Sequence, residues 1–125
     1  MQIKDVLVFR IAAFLGFLTV LLGSLGAHAI KFKSDYHEGL FDIALLYQAI
    51  HIPIIIFLSL FEKRKQSVAM LSGILGFTWP LFFKGATAID LKDIGILVPV
   101  GGMVLMFAWI WLIFSVNGHK KEQSE

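Results

Sequence analysis

Tyr47, Gln48 and His51 are the residues of this chain whose types and spacing could do chemistry. They lie inside an apolar run at 41–61 that is long enough to cross a bilayer. An imidazole can gain and lose a proton near neutral pH. A carboxamide both donates and accepts hydrogen bonds, and a phenol does either. If the run is one helix, His51 falls near its middle, close to the bilayer midplane. Gln48 sits about 4.5 Å nearer the helix start. At about 100° per residue, Tyr47, Gln48 and His51 share one sector with Ala44, and that face should point into a bundle. Asp42 falls on roughly the opposite face, where the interface and the positive helix end account for it.

Two readings of the cluster stand side by side. In one, Gln48 and His51 make interhelical hydrogen bonds of about 1 kcal/mol each that fix the helix register. In the other they form a proton-handling or ligand site, since ionisable residues at membrane depth are functional candidates. Pro53 adds a local feature, because it removes the N–H that would bond the Ala49 carbonyl one turn earlier.

The remaining candidates lie towards the ends of apolar segments. His28 closes the first run, His37 follows in a linker, and with Asp42 they read as interfacial polar residues. A haem held between His28 and His51 is disfavoured, because the two differ in depth by about half a bilayer. Zinc ligation by His28, His37 and Asp42 lacks any recognisable ligand spacing. The chain has no cysteine, so thiolate metal sites, disulfides and thiol nucleophiles are excluded. It shows no phosphate-binding Gly-rich loop, serine-nucleophile motif or carboxylate pair. Neither a metal nor a cofactor is expected. Arg10 and Lys84 sit near apolar ends and can snorkel to headgroups.

The elements that must position these residues follow from hydropathy. Of the 125 residues, 58% are hydrophobic and 16% charged, against about 25% charged in soluble domains. The mean hydropathy is +0.80. Four apolar runs, at about 6–29, 41–61, 68–89 and 94–116, each reach the roughly 20 residues a spanning helix needs. The connections at 31–40, 62–67 and 90–93 are short, so neighbouring helices run antiparallel. The expectation is one domain, 1–125: an all-α integral membrane four-helix bundle with short loops and a polar tail at 117–125.

Lys4, Arg10, Lys63, Arg64, Lys65, Lys120 and Lys121 fall on one side, and Lys31, Lys33, Lys84 and Lys92 on the other. Seven against four predicts cytoplasmic N- and C-termini in a multi-pass membrane protein. The net charge of +2 comes from these flanks and makes no case for nucleic acid. A rival reading of the N-terminus takes Lys4 and Arg10 as the charged region of a signal peptide cleaved after Ala27-His28-Ala29. Against it stands a seam of small residues, Ala12, Gly16, Thr19, Gly23 and Gly26 or Ala27, at steps of three and four. Such a seam serves close helix packing. Gly73 and Gly76 repeat the device in the third run, and Gly101 and Gly102 in the fourth. Trp109 and Trp111 near the fourth run's end read as interfacial anchors.

Three ordered motifs carry a family resemblance. The stretch Leu22-Gly23-Ser24-Leu25-Gly26-Ala27-His28-Ala29-Ile30-Lys31 resembles a first-helix "GAxGAH…K" element. Phe41 to His51 is similar to an "F…A..YQ..H" helix. Val98-Pro99-Val100-Gly101-Gly102 with Trp109 resembles a "TPxGG…GW" end. All three belong to the YwdK/YgdD-like group of small, uncharacterised bacterial membrane proteins. The resemblance implies a four-helix inner-membrane protein with no assigned activity or cofactor. The chain departs from it at Leu75-Gly76-Phe77-Thr78-Trp79-Pro80-Leu81, where the group carries a Ser- and Gly-rich "FSGSLY"-like run. Val98 replaces the usual Thr, and Ala108 the Gly before Trp.

The functional expectation is a non-enzymatic structural or accessory membrane component. It would meet the lipid bilayer and associate with a second copy or another membrane protein. The alternative is a small transporter or channel component built around Gln48 and His51.

Overall fold

A computed structural model describes residues 3–61, 63–90, 92–93 and 95–115. The tail at 117–125, with Lys120 and Lys121, lies outside the described residues. Four helices follow in order: α1 Val6–His28, α2 Asp35–Ser59, α3 Arg64–Thr87 and α4 Leu97–Ser115. Each is long and apolar enough to cross a membrane, and no strand occurs among the described residues.

Two helices begin earlier than their apolar runs. The chain enters α2 at Asp35, because Ser34 is an N-cap whose hydroxyl accepts from the His37 N–H. Asp35 and Glu38 then lie in the first turn, where the positive end of the helix favours acidic side chains. The residues from 35 to 40 are therefore helix, not linker. At 25 residues α2 is about 37 Å long, exceeding a roughly 30 Å hydrocarbon core by over a turn. Helix α3 likewise starts at Arg64, inside the basic cluster. Hydropathy marks the stretch that lipid tolerates, whereas capping marks where the backbone turns helical.

Helices α2 and α3 form the centre. Helix α1 packs mainly on α2 and α4 mainly on α3, while α1 and α4 make no close backbone approach among the described residues. The larger core draws on all four helices, with Ala12, Leu15, Ile55, Met70, Ile74, Leu105 and Ala108 buried in it. A smaller one at the other end gathers Phe41, Ala44 and Phe82. There Phe41 meets Phe82 edge-on at 5.1 Å between ring centres and Phe32 at 5.3 Å, a favoured aromatic geometry.

Glycines set how closely the helices approach. A Cβ on Gly101 would lie 2.5 Å from the Phe77 nitrogen and 2.7 Å from the Gly76 carbonyl carbon. The α3 and α4 backbones therefore touch at this crossing. Gly73 faces Leu105, and Gly26 of α1 faces the Phe41 ring. Gly16 and Gly23 face Ile52 and Leu45 of α2 at looser distances, and Gly102 meets only the Phe77 ring. Gly85, absent from the small-residue pattern, is as tight, since its Cβ would lie 2.8 Å from the His37 carbonyl oxygen.

The outward surfaces of α1 and α4 are apolar. Leu7, Phe14, Phe17 and Val20 on α1, and Met103, Phe107, Ile113 and Phe114 on α4, are exposed. In a membrane protein these face acyl chains.

One end of the bundle is tied by charge. Asp5 caps α1 by accepting from the Val8 N–H, and its own N–H donates to the Ser59 carbonyl at the end of α2. Arg64, opening α3, grips both carboxylate oxygens at 2.8 Å. Lys63 reaches the Ser115 carbonyl at the end of α4. The hydrogen-bonded guanidinium of Arg64 holds the Asp5 carboxyl below the ordinary range, against the opposing effect of its burial.

Candidate intramembrane polar site

Gln48 is fully buried and His51 is 5% exposed. Tyr47 is not with them. Its side chain is 40% exposed, and its phenol makes no hydrogen bond among the described residues. The ring instead lies nearly parallel to His51, 12° between planes at 6.4 Å, and packs on Phe77 of α3 at 4.9 Å. Tyr47 thus screens the cluster from outside and serves it through its backbone carbonyl.

A directional chain of hydrogen bonds crosses the bundle through Gln48. The Gln48 Nε2–H donates to Thr19 Oγ1 of α1 at 2.8 Å. The Thr19 hydroxyl in turn donates to the Leu15 carbonyl one turn back. On the other side Gln48 Oε1 accepts from Thr78 Oγ1 of α3 at 2.9 Å, a proton Thr78 shares with the Ile74 carbonyl. Ser/Thr hydroxyls commonly bond back to the preceding turn of their own helix. Here that habit orients them and leaves each able to serve the carboxamide. The links point one way, so each polarises the next.

His51 has a separate pair of partners. Its Nε2 lies 2.9 Å from Trp109 Nε1 of α4. An indole N–H only donates, so Nε2 must be the accepting nitrogen. The proton therefore sits on Nδ1, which donates to the Tyr47 carbonyl at 2.7 Å. Both ring nitrogens are satisfied in one neutral tautomer, a protonation assigned from the network. The Trp109 ring meets the imidazole edge-on, with centres 5.7 Å apart.

Trp109 therefore is not an interfacial anchor. Its N–H is spent on His51, while Trp111 packs on Phe107. Because α2 begins at Asp35, His51 lies about two-thirds of the way along it, about one turn past its middle on the side of the Asp5–Arg64 end. Pro53 and Ala49 are both exposed, in contrast to the buried Gln48 and His51.

Of the end residues, His28 and Asp42 are exposed, and His37 is half-buried with Nδ1 2.8 Å from the Ser34 hydroxyl. No group of three His, Cys, Asp or Glu side chains that could hold a metal occurs among the described residues. Thr19 had been legible only as a small residue of the α1 seam. Thr78 lies in the stretch where the family resemblance fails, Arg64 is legible in the sequence only as a basic flanking charge, and Asp5 is not singled out by it. One interior donor, Trp79 Nε1, is buried with no hydrogen-bond partner.

The central helix α2 is thus hydrogen-bonded to all three others through uncharged side chains, with Gln48 and His51 themselves buried, which defines a small polytopic membrane protein held by an internal polar network. Residues 22–102 match the model of a protein family of unknown function, DUF423, and the chain belongs to that family. That span holds Gln48, His51 and Thr78, while Thr19 and Trp109 fall outside it. The chain is 28% identical over 98 residues to the UPF0382 membrane protein SAB0533 of Staphylococcus aureus, covering 74% of this chain and 80% of the relative. It is 27% identical over 103 residues to the UPF0382 membrane protein SH2409 of Staphylococcus haemolyticus, covering 78% and 84%. No solved structure matches.

Proposed function

We propose that this DUF423 protein is a non-catalytic structural or accessory component of the cell membrane, with both termini cytoplasmic, akin to the YwdK/YgdD-like group. The observation that carries this reading is the internal engagement of the polar site. The oxygen of the Gln48 carboxamide and one of its N–H groups are engaged, and both His51 nitrogens are committed, all within the chain. A transporter needs one of these groups free to meet a proton or solute during its cycle. Here all but the His51 Nδ1, which is held by its own helix, join α2 to its neighbours.

The glycine seams are also consumed internally, since Gly16, Gly23 and Gly26 face α2 while Gly73 and Gly101 sit in the α3–α4 crossing. Association with a second copy or another membrane protein would use the outer faces of α1 and α4. Cross-linking in native membranes followed by mass spectrometry tests this, with one recurrent membrane partner or a defined homo-oligomer expected. Proton-coupled flux in proteoliposomes, abolished by His51→Ala in a protein that still folds, would refute it.

A further inference from the structure

Away from the Asp5–Arg64 end, a pocket of about 270 Å³ opens between the start of α2, the last turns of α3 and the start of α4. Its walls are mainly apolar, with Leu81, Val98 and Pro99 among them, and Tyr36, Lys84 and Asp90 supply its polar groups. The Lys84 ammonium lies 5.6 Å from the centre of the Tyr36 ring and 3.9 Å from an Asp90 oxygen. Lys84 sits in the last turn of α3, so this cavity lies where a spanning helix meets the headgroups.

From this geometry we propose that the pocket binds one zwitterionic phospholipid, its phosphate on Lys84 and its ammonium between the Asp90 carboxylate and the Tyr36 ring face. Charge complementarity selects the occupant. The pocket carries one positive and one negative side chain side by side, so its best partner has adjacent charges of opposite sign and an apolar body. A singly anionic lipid would gain Lys84 but meet Asp90 unfavourably, and an uncharged lipid would leave both unanswered. The Lys84–Asp90 pair sits at the outer limit of ion-pair distance, with Asp90 68% exposed. Exposed pairs of this kind contribute little, so exchanging it for two pairs with the lipid gives up little. The Tyr36 face, now turned to Lys84, can hold the lipid ammonium by the same cation–π attraction.

The test is native mass spectrometry of the full chain released from micelles doped with equal phosphatidylethanolamine and phosphatidylglycerol. The parent should retain phosphatidylethanolamine over phosphatidylglycerol by about fivefold. Asp90→Asn should reverse the preference, because Lys84 is then an unopposed cation. Lys84→Gln should reduce retention of both lipids, while the distant Lys65→Gln leaves the parental ratio unchanged. Thermal unfolding of each variant verifies that it folds, and the parental ratio tests the idea without any variant. Equal retention of the two lipids by the parent would overturn it. So would a phosphatidylethanolamine preference that survives Asp90→Asn, or parental retention in Lys84→Gln.

Discussion

Replacing Gln48 itself should destabilise this protein less than replacing the two threonines that hold it. Gln48→Met removes both interhelical hydrogen bonds, and such bonds in membrane proteins average about 0.6 kcal/mol each. Methionine fills nearly the same length, so little cavity opens. No partner is orphaned, because Thr19 still donates to Leu15 and Thr78 to Ile74. The expected loss is about 1 kcal/mol. In Thr19→Val with Thr78→Val the carboxamide stays, fully buried, with neither Nε2–H nor Oε1 answered. An unsatisfied buried polar group costs about 1–3 kcal/mol, so the double variant should lose about 3 kcal/mol or more. Equilibrium unfolding in mixed micelles, followed by circular dichroism, reads both differences. If Gln48→Met proves as damaging as the double valine variant, Gln48 is held by something other than these two hydroxyls.

Three further outcomes follow from the same structure. Gly101→Ala drives a methyl into the α3 backbone and should lower stability by about 3 kcal/mol or prevent folding, whereas Gly102→Ala, facing the Phe77 ring, should change it by less than about 1 kcal/mol; unfolding of the pair side by side checks this. Trp109→Phe leaves His51 Nε2 without its donor and should cost about 1 kcal/mol, and a double-mutant cycle with His51→Leu should return a coupling of similar size. The carboxyl of Asp5 binds a proton less readily folded than unfolded, so its stabilising share is present above the ordinary value and lost as pH falls below about 4. Asp5→Asn should shrink that acid-induced fall in melting temperature.

Hydropathy made all four helices legible, because lipid forces apolar composition over a fixed length. It missed the start of α2, where Ser34 with Asp35 and Glu38 gave a capping signal independent of hydropathy. Helical angles put the polar residues in one sector but did not say which of its edges faces the bundle. Gln48 and Tyr47 are those edges, about 100° apart, with Ala44 and His51 between them and within about 60° of Gln48. Burial follows that order, and Tyr47 turns outward. The partners were out of reach for a different reason. Which residue of α1, α3 or α4 stands opposite Gln48 or His51 depends on how the helices slide and rotate, and spacing within one helix carries no such information. A threonine in an apolar run looks innocuous because it can satisfy itself, and a tryptophan near a span's end looks like an anchor. Thr78 and Trp109 find their partners on α2 only when the helices pack.

The self-satisfied threonines also bear on how the chain enters the bilayer. Helix α1 leaves the ribosome before α2, with its mid-span Thr19 hydroxyl already bonded to Leu15, so it can partition into lipid alone. Helix α2 comes next, and the imidazole proton can rest on the Tyr47 carbonyl of its own helix, but the Gln48 carboxamide has no partner within its turn. Contact with Thr19 relieves one side of that carboxamide, and the other waits for Thr78. Helix α2 should therefore linger at the insertion machinery until α3 has emerged, and a chain truncated after α2 should be released into lipid more slowly than the same truncation carrying Gln48→Met.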